Sequence, residues 1–141
     1  MTQDYTIREI TLHDYEEYFP LICEFRETTF TEEEFKEFLQ KLTPHIHIYV
    51  LLIKNHIIAT TTVIFEPKLI FNRCMFAHIE DVCVLKSHQK GGWGSILLQF
   101  VVEEAKKKGC YKVTLVCNEA TSPFYLKNGF ERRGVQCSML L

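Results

Sequence analysis

Two stretches of this 141-residue chain carry residue types whose spacing could do chemistry. In His78-Ile79-Glu80-Asp81-Val82-Cys83-Val84, two adjacent carboxylates interrupt an apolar run. Strand side chains alternate between faces, so regular pleating sends Glu80 and Asp81 to opposite sides, and a charge buried without a partner is strongly destabilising. At least one of the two must face a polar cleft, a partner or a bulge. Solvated acids on an edge strand, or a structural ion pair, would satisfy the same pattern.

Shortly afterwards, His88-Gln89-Lys90-Gly91-Gly92-Trp93-Gly94-Ser95 places three glycines and a cation directly ahead of a helical pattern. At such a junction the first free N–H groups and the helix dipole attract anions, and glycine lets the backbone approach a phosphate. The stretch is not a Walker A loop, because no Lys-Ser/Thr pair follows its last glycine, nor a dinucleotide fingerprint, because the third glycine is missing. A glycine-rich turn with no ligand has the same composition. In a third segment, Ser122 to Phe130, aromatic residues sit on a short helix; such residues are usually core, but the phenol of Tyr125 can serve as a general acid if it faces a cleft.

The elements that must position these groups follow from periodicity and punctuation. Tyr5 to Ile10 alternates as a short strand. Leu12 to Phe25 has helical spacing, with Pro20 expected to kink or end the helix. Thr31-Glu32-Glu33-Glu34 is a capping box and starts a second helix running to about Leu42. Ile46 to Ile53 and Ile57 to Phe65 flank Lys54-Asn55-His56 as a hairpin, and Cys74 to Leu85 is a further strand. Ser95 to Lys108 is a one-faced helix stopped at Gly109, and Lys112 to Cys117 a buried strand. Ser122 to Lys127 forms a short helix, and Glu131 to Met139 is expected as a last strand. The order βααβββαβαβ describes a mixed α/β domain, one domain over residues 1–141, with helices flanking a sheet.

Composition bounds the function. Apolar residues make up 47% and charged residues 24%, as in a globular protein. With 16 basic and 18 acidic residues interspersed and a net charge of −2, the chain offers no broad positive field for nucleic acid. The six cysteines form no C-x-x-C pair and read as small buried hydrophobes in a reducing compartment. The N-terminus lacks a secretory pattern, and no window is long and apolar enough to span a bilayer, so the expected location is the cytoplasm, with no membrane partner.

In this order the three segments resemble the Gcn5-related N-acetyltransferase (GNAT) superfamily, in which a Q/R-x-x-G-x-G/A loop after a long strand binds the pyrophosphate of acetyl-CoA; Gln89, Gly92 and Gly94 fill its positions. Within it the chain is most similar to the glucosamine 6-phosphate N-acetyltransferases, through Glu66-Pro67-Lys68-Leu69-Ile70, HIEDVCV at 78 to 84, GCYKVTLVC at 109 to 117 and FYLKNGF at 124 to 130.

The resemblance implies a mostly antiparallel sheet splayed at the acetyl-CoA site, and acetyl transfer to the 2-amino group of glucosamine 6-phosphate without a metal or a covalent enzyme intermediate. Carried over by position, Val82, Cys83 and Val84 offer backbone groups to the pantetheine arm. Gln89, Lys90, Gly91, Gly92, Trp93, Gly94 and Ser95 face the pyrophosphate. Thr121 stands near the CoA, where an asparagine is usual. Lys68, Leu69, Ile70, Glu80 and Asp81 match positions that contact the sugar phosphate or shape its pocket, and Tyr125 matches the residue that protonates the departing thiolate.

Some positions depart from the family pattern. Val116 replaces an acidic residue, which leaves the Leu115 carbonyl, Glu80 or an ordered water as the base. Leu140 lies in a tail that lacks a basic residue, and the substrate-contacting threonine falls near Arg26 or Thr28. Arg26 and Arg73 could each supply charge for a phosphate, although surface arginines are common. Relatives form dimers, so a homodimer closed partly by Val135 to Leu141 is expected. An acetyltransferase acting on another amine, such as a polyamine or a protein N-terminus, and a CoA-binding domain without turnover are the alternatives.

Overall fold

A computed structural model describes residues 3–141. Strands β1 (Thr6–Glu9), β2 (Ile46–Ile53), β3 (His56–Pro67), β4 (Met75–Val84) and β5 (Lys112–Leu115) form one sheet in the order β1-β2-β3-β4-β5. Neighbours are antiparallel except β4 and β5, which run parallel. The connection between those two carries α4 (Trp93–Lys107), as a parallel crossover requires.

Alternation along β2 sets the two layers. Ile48, Val50 and Leu52 pack with Tyr18 and Leu21 of α1 (Tyr15–Phe25) and Phe35 of α2 (Glu32–Lys41). Tyr49 packs on the opposite face with Leu98 and Val101 of α4, and Leu51 and Ile53 pack there with Trp93 and Leu97. Both faces of β2 are therefore covered, which is why it reads as an unbroken apolar run.

Local signals account for the helix ends. Thr31 accepts from the Glu34 N–H at 3.1 Å while the Glu34 carboxylate accepts from the Thr31 N–H at 3.1 Å, completing the capping box. Asp14 precedes α1 and takes a two-pronged contact from Arg8, at 2.8 and 3.0 Å, tying β1 to that helix. Of the two outcomes expected at Pro20, a kink or an end, the second does not occur: α1 runs on to Phe25. Pro20 and Glu16 are exposed, so the carbonyl that loses its helical donor faces water, and fully buried Leu21 pins the following turn to the sheet.

Two departures from regular sheet matter for function. Thr60 pairs with Cys83 but Thr62 pairs with Glu80, so Asp81 and Val82 together oppose Thr61 in a β-bulge. Asp81 takes a left-handed φ of 52° there, and the Thr61 hydroxyl braces the bulge by donating to the Glu80 carbonyl at 3.0 Å. Between β3 and β4, the single turn α3 (Ile70–Arg73) holds Phe71, Asn72 and Arg73 at φ of 49°, 58° and 59°, three successive left-handed residues that are not glycine.

The expected strand from Glu131 to Met139 does not form: among the described residues, 131–141 pair with no strand, and they lie exposed. Val135, Cys137, Met139 and Leu141 do alternate as a strand would. A strand exists only when its backbone finds a partner, however, and the chain does not return to the free edge of β5.

Candidate active site

The β4–β5 pairing stops at Ile79 and Leu115, yet β4 continues to Val84. Beyond that point the edge of β4 facing β5 is unpaired, and a fork opens whose arms are Val82–Val84 and the segment after Leu115. Exposed amides and carbonyls along such an arm can pair with an extended, amide-bearing ligand as a further strand would. The Cys83 side chain takes no part in the fork: it is buried against α1, its thiol lies 3.5 Å from the Leu21 carbonyl, and burial pushes its pKa up to about 11. Only its backbone is available.

At the open end of the fork the chain passes through a 3-10 turn (Lys86–Gly91) into α4. Each glycine there has its own reason. Gly92 caps the helix in the left-handed region, with φ 77°. A β-carbon on Gly91 would lie 2.4 Å from Nε1 of Trp93, and one on Gly94 would lie 3.0 Å from the Phe124 ring. The first helical bond is the Ile96 N–H to the Gly92 carbonyl, at 3.2 Å, which leaves the N–H groups of Trp93, Gly94 and Ser95 without helical acceptors. No side chain caps this end of the helix, so it is open to an anion.

The other expected residues of this region take distinct places. The Trp93 indole is buried in the core, so that residue contributes backbone alone. Gln89 turns back, donating to the Val84 carbonyl at 3.1 Å and bracing the loop, while Lys90 is exposed. Thr121 is held by Asn118, whose side chain accepts from the Thr121 N–H at 2.9 Å.

Across the fork, Tyr125 of α5 (Ser122–Lys127) is half-buried between Phe124 and Phe130. Burial, and secondarily Cys117, holds its hydroxyl above the ordinary tyrosine pKa. It therefore stays protonated at neutral pH, as a proton donor must.

The acidic pair opens on the opposite side of the sheet. Glu80 shares a row with Thr62 and Ile48 on the face that α1 covers, and the charge of Asp81 is felt by Tyr18 of α1. The bulge resolves the pleating conflict by turning Asp81 toward the same side as Glu80, and both acids are exposed. Below them, beyond the reach of α1, His78 lies level with Ile64 and Thr114. The His78 Nε2 is 2.8 Å from Oε1 of Glu66, and the Lys68 ammonium is 3.4 Å from the same oxygen. Hydrogen bonding to His78 is the main cause that holds the Glu66 carboxyl below its ordinary pKa.

Of the residues singled out by resemblance, Lys68, Glu80 and Asp81 are gathered on this face. Leu69 and Ile70 project into solvent at the end of the sheet, with Leu69 88% exposed. Arg26 folds over the Phe25 ring, and Thr28 lies in the exposed link between α1 and α2. The sequence reading gave no role to Glu66 and His78, which lie twelve residues apart and meet only through the β3–β4 register.

Comparison with known proteins gives the family. Residues 7–130 match the model of the acetyltransferase (GNAT) family. Glucosamine 6-phosphate N-acetyltransferase 1 of Dictyostelium discoideum is 31% identical over 96% of this chain and 90% of its own length. The Candida albicans glucosamine 6-phosphate N-acetyltransferase is 30% identical over 96% of this chain and 95% of its own. The crystal structure of glucosamine-6-phosphate N-acetyltransferase from Arabidopsis thaliana superposes with a TM-score of 0.91 at 28% identity, covering 98% of this chain and 99% of that one. With its fork, its uncapped helix end and these relatives along nearly its whole length, the chain belongs to the acetyltransferase (GNAT) family, among the glucosamine 6-phosphate N-acetyltransferases.

Proposed function

We propose that the protein transfers the acetyl group of acetyl-CoA to the 2-amino group of glucosamine 6-phosphate by direct attack in a ternary complex. The observation that carries this is the fork itself: it has a backbone-lined, anion-accepting side and, on the opposite face of the sheet, a polar side bearing acids and a lysine. Acetyl-CoA fits the first side, with Val82 to Val84 along the pantetheine arm and the amides of Trp93, Gly94 and Ser95 on the pyrophosphate. Its thioester then falls near the apex, between Ile79 and Leu115, within the reach of Tyr125.

The amino sugar takes the second side. Glu80 and Asp81 suit hydroxyl and ammonium groups, and Lys68 suits a phosphate. Arg26 and Thr28, just beyond the end of α1, are further candidates for the phosphate and the sugar. Holding the amine against the carbonyl supplies much of the rate by proximity, and amides at the apex stabilise the oxyanion. Product formation needs no metal in this scheme.

A homodimer completes the reading. The alternating tail from Val135 to Leu141 is almost fully exposed, and the outer edge of β5 is free, so a second copy gives both a partner. Removing residues 135–141 should then shift the protein to monomer in sedimentation; a dimer that persists in the truncated chain removes the tail from the interface. Action in the cytoplasm accords with six free cysteines.

The decisive experiment is thiol release from acetyl-CoA with a panel of amines. Release with glucosamine 6-phosphate and much less with glucosamine is expected. Release only with a polyamine or a peptide N-terminus would overturn the substrate, and acetyl-CoA binding without release on any amine would overturn the enzyme reading.

A further inference from the structure

Val116, 55% exposed beside the fork, leaves β5 without a carboxylate where the amine must lose a proton. The structure offers a different group. His78 lies on the same face as Glu80, two residues earlier on β4 and about 6.5 Å along the strand. Its Nε2 is engaged with the Glu66 carboxylate at 2.8 Å. A carboxylate only accepts, so Nε2 carries the hydrogen and Nδ1 keeps its lone pair. Among the described residues Nδ1 has no hydrogen-bond partner, and the side chain is 31% exposed, open to the substrate face and to solvent. A carboxylate in this position fixes the tautomer and orientation of the imidazole, although Glu66, with 44% of its side chain exposed, is more open to solvent than the acid of a catalytic triad.

Building on the acetyltransferase reading above, we propose that His78, oriented by Glu66, is the proton acceptor for the attacking amine. In the step, a C–N bond forms between the amine nitrogen and the acetyl carbonyl carbon, and the C–S bond breaks. One N–H proton passes to Nδ1 of His78, and the Tyr125 hydroxyl protonates the departing sulfur. The imidazolium then releases its proton to solvent through its exposed edge, and the phenolate is reprotonated from solvent. The imidazole suits this task because its Nδ1 presents a lone pair while Nε2 stays tied to Glu66, whereas Glu80 has, among the described residues, no partner that would orient it. The charges facing His78 are Glu66 and Lys68 from β3 and its end, Glu80 and Asp81 on its own strand, and Lys112 of β5 beyond the Phe76 ring.

The test is the pH dependence of kcat at saturating acetyl-CoA and glucosamine 6-phosphate for the wild type, H78Q, H78A and E66Q. H78Q should lower kcat about a hundredfold, within the usual range for a general base. It should also abolish the fall of kcat toward acid pH while leaving the KM for acetyl-CoA unchanged. Added imidazole should restore part of the H78A rate. E66Q should lower kcat less than H78Q does, because a neutral amide holds the imidazole less firmly than the carboxylate does. An H78Q enzyme that keeps both the wild-type kcat and its acid limb overturns the proposal. So does one slowed equally at every pH with no imidazole rescue of H78A. If the wild type turns over another amine and not glucosamine 6-phosphate, the substrate reading fails alone, and the same profile on that amine decides the role of His78.

Discussion

The two sides of the β4–β5 fork are built from different materials. On the cofactor side the working groups are backbone: the unpaired edge of Val82–Val84 and the N–H groups at the start of α4, held by residues such as Trp93, Leu97 and Val101 that are buried. On the substrate side they are side chains, Glu66, Lys68, His78, Glu80 and Asp81, standing on a half-covered sheet face and bounded by the exposed turn from Leu69 to Arg73. A site made of backbone is specified by where glycines and packing residues fall. A site made of side chains is specified by their identities and by whatever else closes over them. The first tolerates no intrusion, whereas the second can drift as its substrate contacts change.

Gly94→Val tests the first half of this contrast and should have the largest effect. Its side chain would press into the Phe124 ring, which already lies 3.0 Å from the position of a β-carbon, and would tilt the helix end that meets the pyrophosphate. Loss of one charge-assisted hydrogen bond is worth roughly 1.5–3 kcal/mol, so acetyl-CoA should bind about ten to a hundred times more weakly by calorimetry. Unaltered acetyl-CoA affinity would mean that this helix end does not hold the cofactor.

Tyr125→Phe separates chemistry from binding within the same side. Turnover should fall at least about tenfold, a floor set an order of magnitude under the usual range for a general acid, with acetyl-CoA affinity near wild type. Because burial, aided by Cys117, holds the Tyr125 pKa above its ordinary value, the donor is protonated at all lower pH. The wild-type rate should therefore fall only above the normal tyrosine range, and that alkaline limb should vanish in the variant. A limb that survives Tyr125→Phe assigns it to another group.

The same contrast explains what the sequence revealed. The hairpin at Lys54-Asn55, the capping box at Thr31 and the glycine turn before α4 are each set by residues adjacent in the chain, and each could be read locally. The bulge was legible only as a conflict: Glu80 next to Asp81 signalled that pleating must fail, but the Thr61 hydroxyl that braces it comes from another strand. The Glu66–His78 pair was silent because its meeting depends on the register between β3 and β4, which no short window contains. The tail was misread as a strand for the converse reason. Its alternation of Val135, Cys137, Met139 and Leu141 is a genuine strand pattern, but pairing depends on an edge that local sequence does not supply.

Asn72 sharpens the substrate half, with the smallest expected effect. It is the middle of three left-handed residues, φ 58°, in a turn whose Phe71 ring stacks on Tyr111 with centroids 4.5 Å apart. Asparagine tolerates this region better than most residues, and a β-branched side chain there is strained by about 1–2 kcal/mol. Asn72→Val should therefore lower stability by about 1 kcal/mol in urea unfolding, while Asn72→Gly, which relieves strain but loosens the unfolded chain, should stay within about 0.5 kcal/mol. If this turn borders the sugar site, Asn72→Val should also raise the KM for glucosamine 6-phosphate and leave that for acetyl-CoA unchanged. A rise in both would mean that the two sides of the fork are mechanically coupled and that their separation into a backbone site and a side-chain site is wrong.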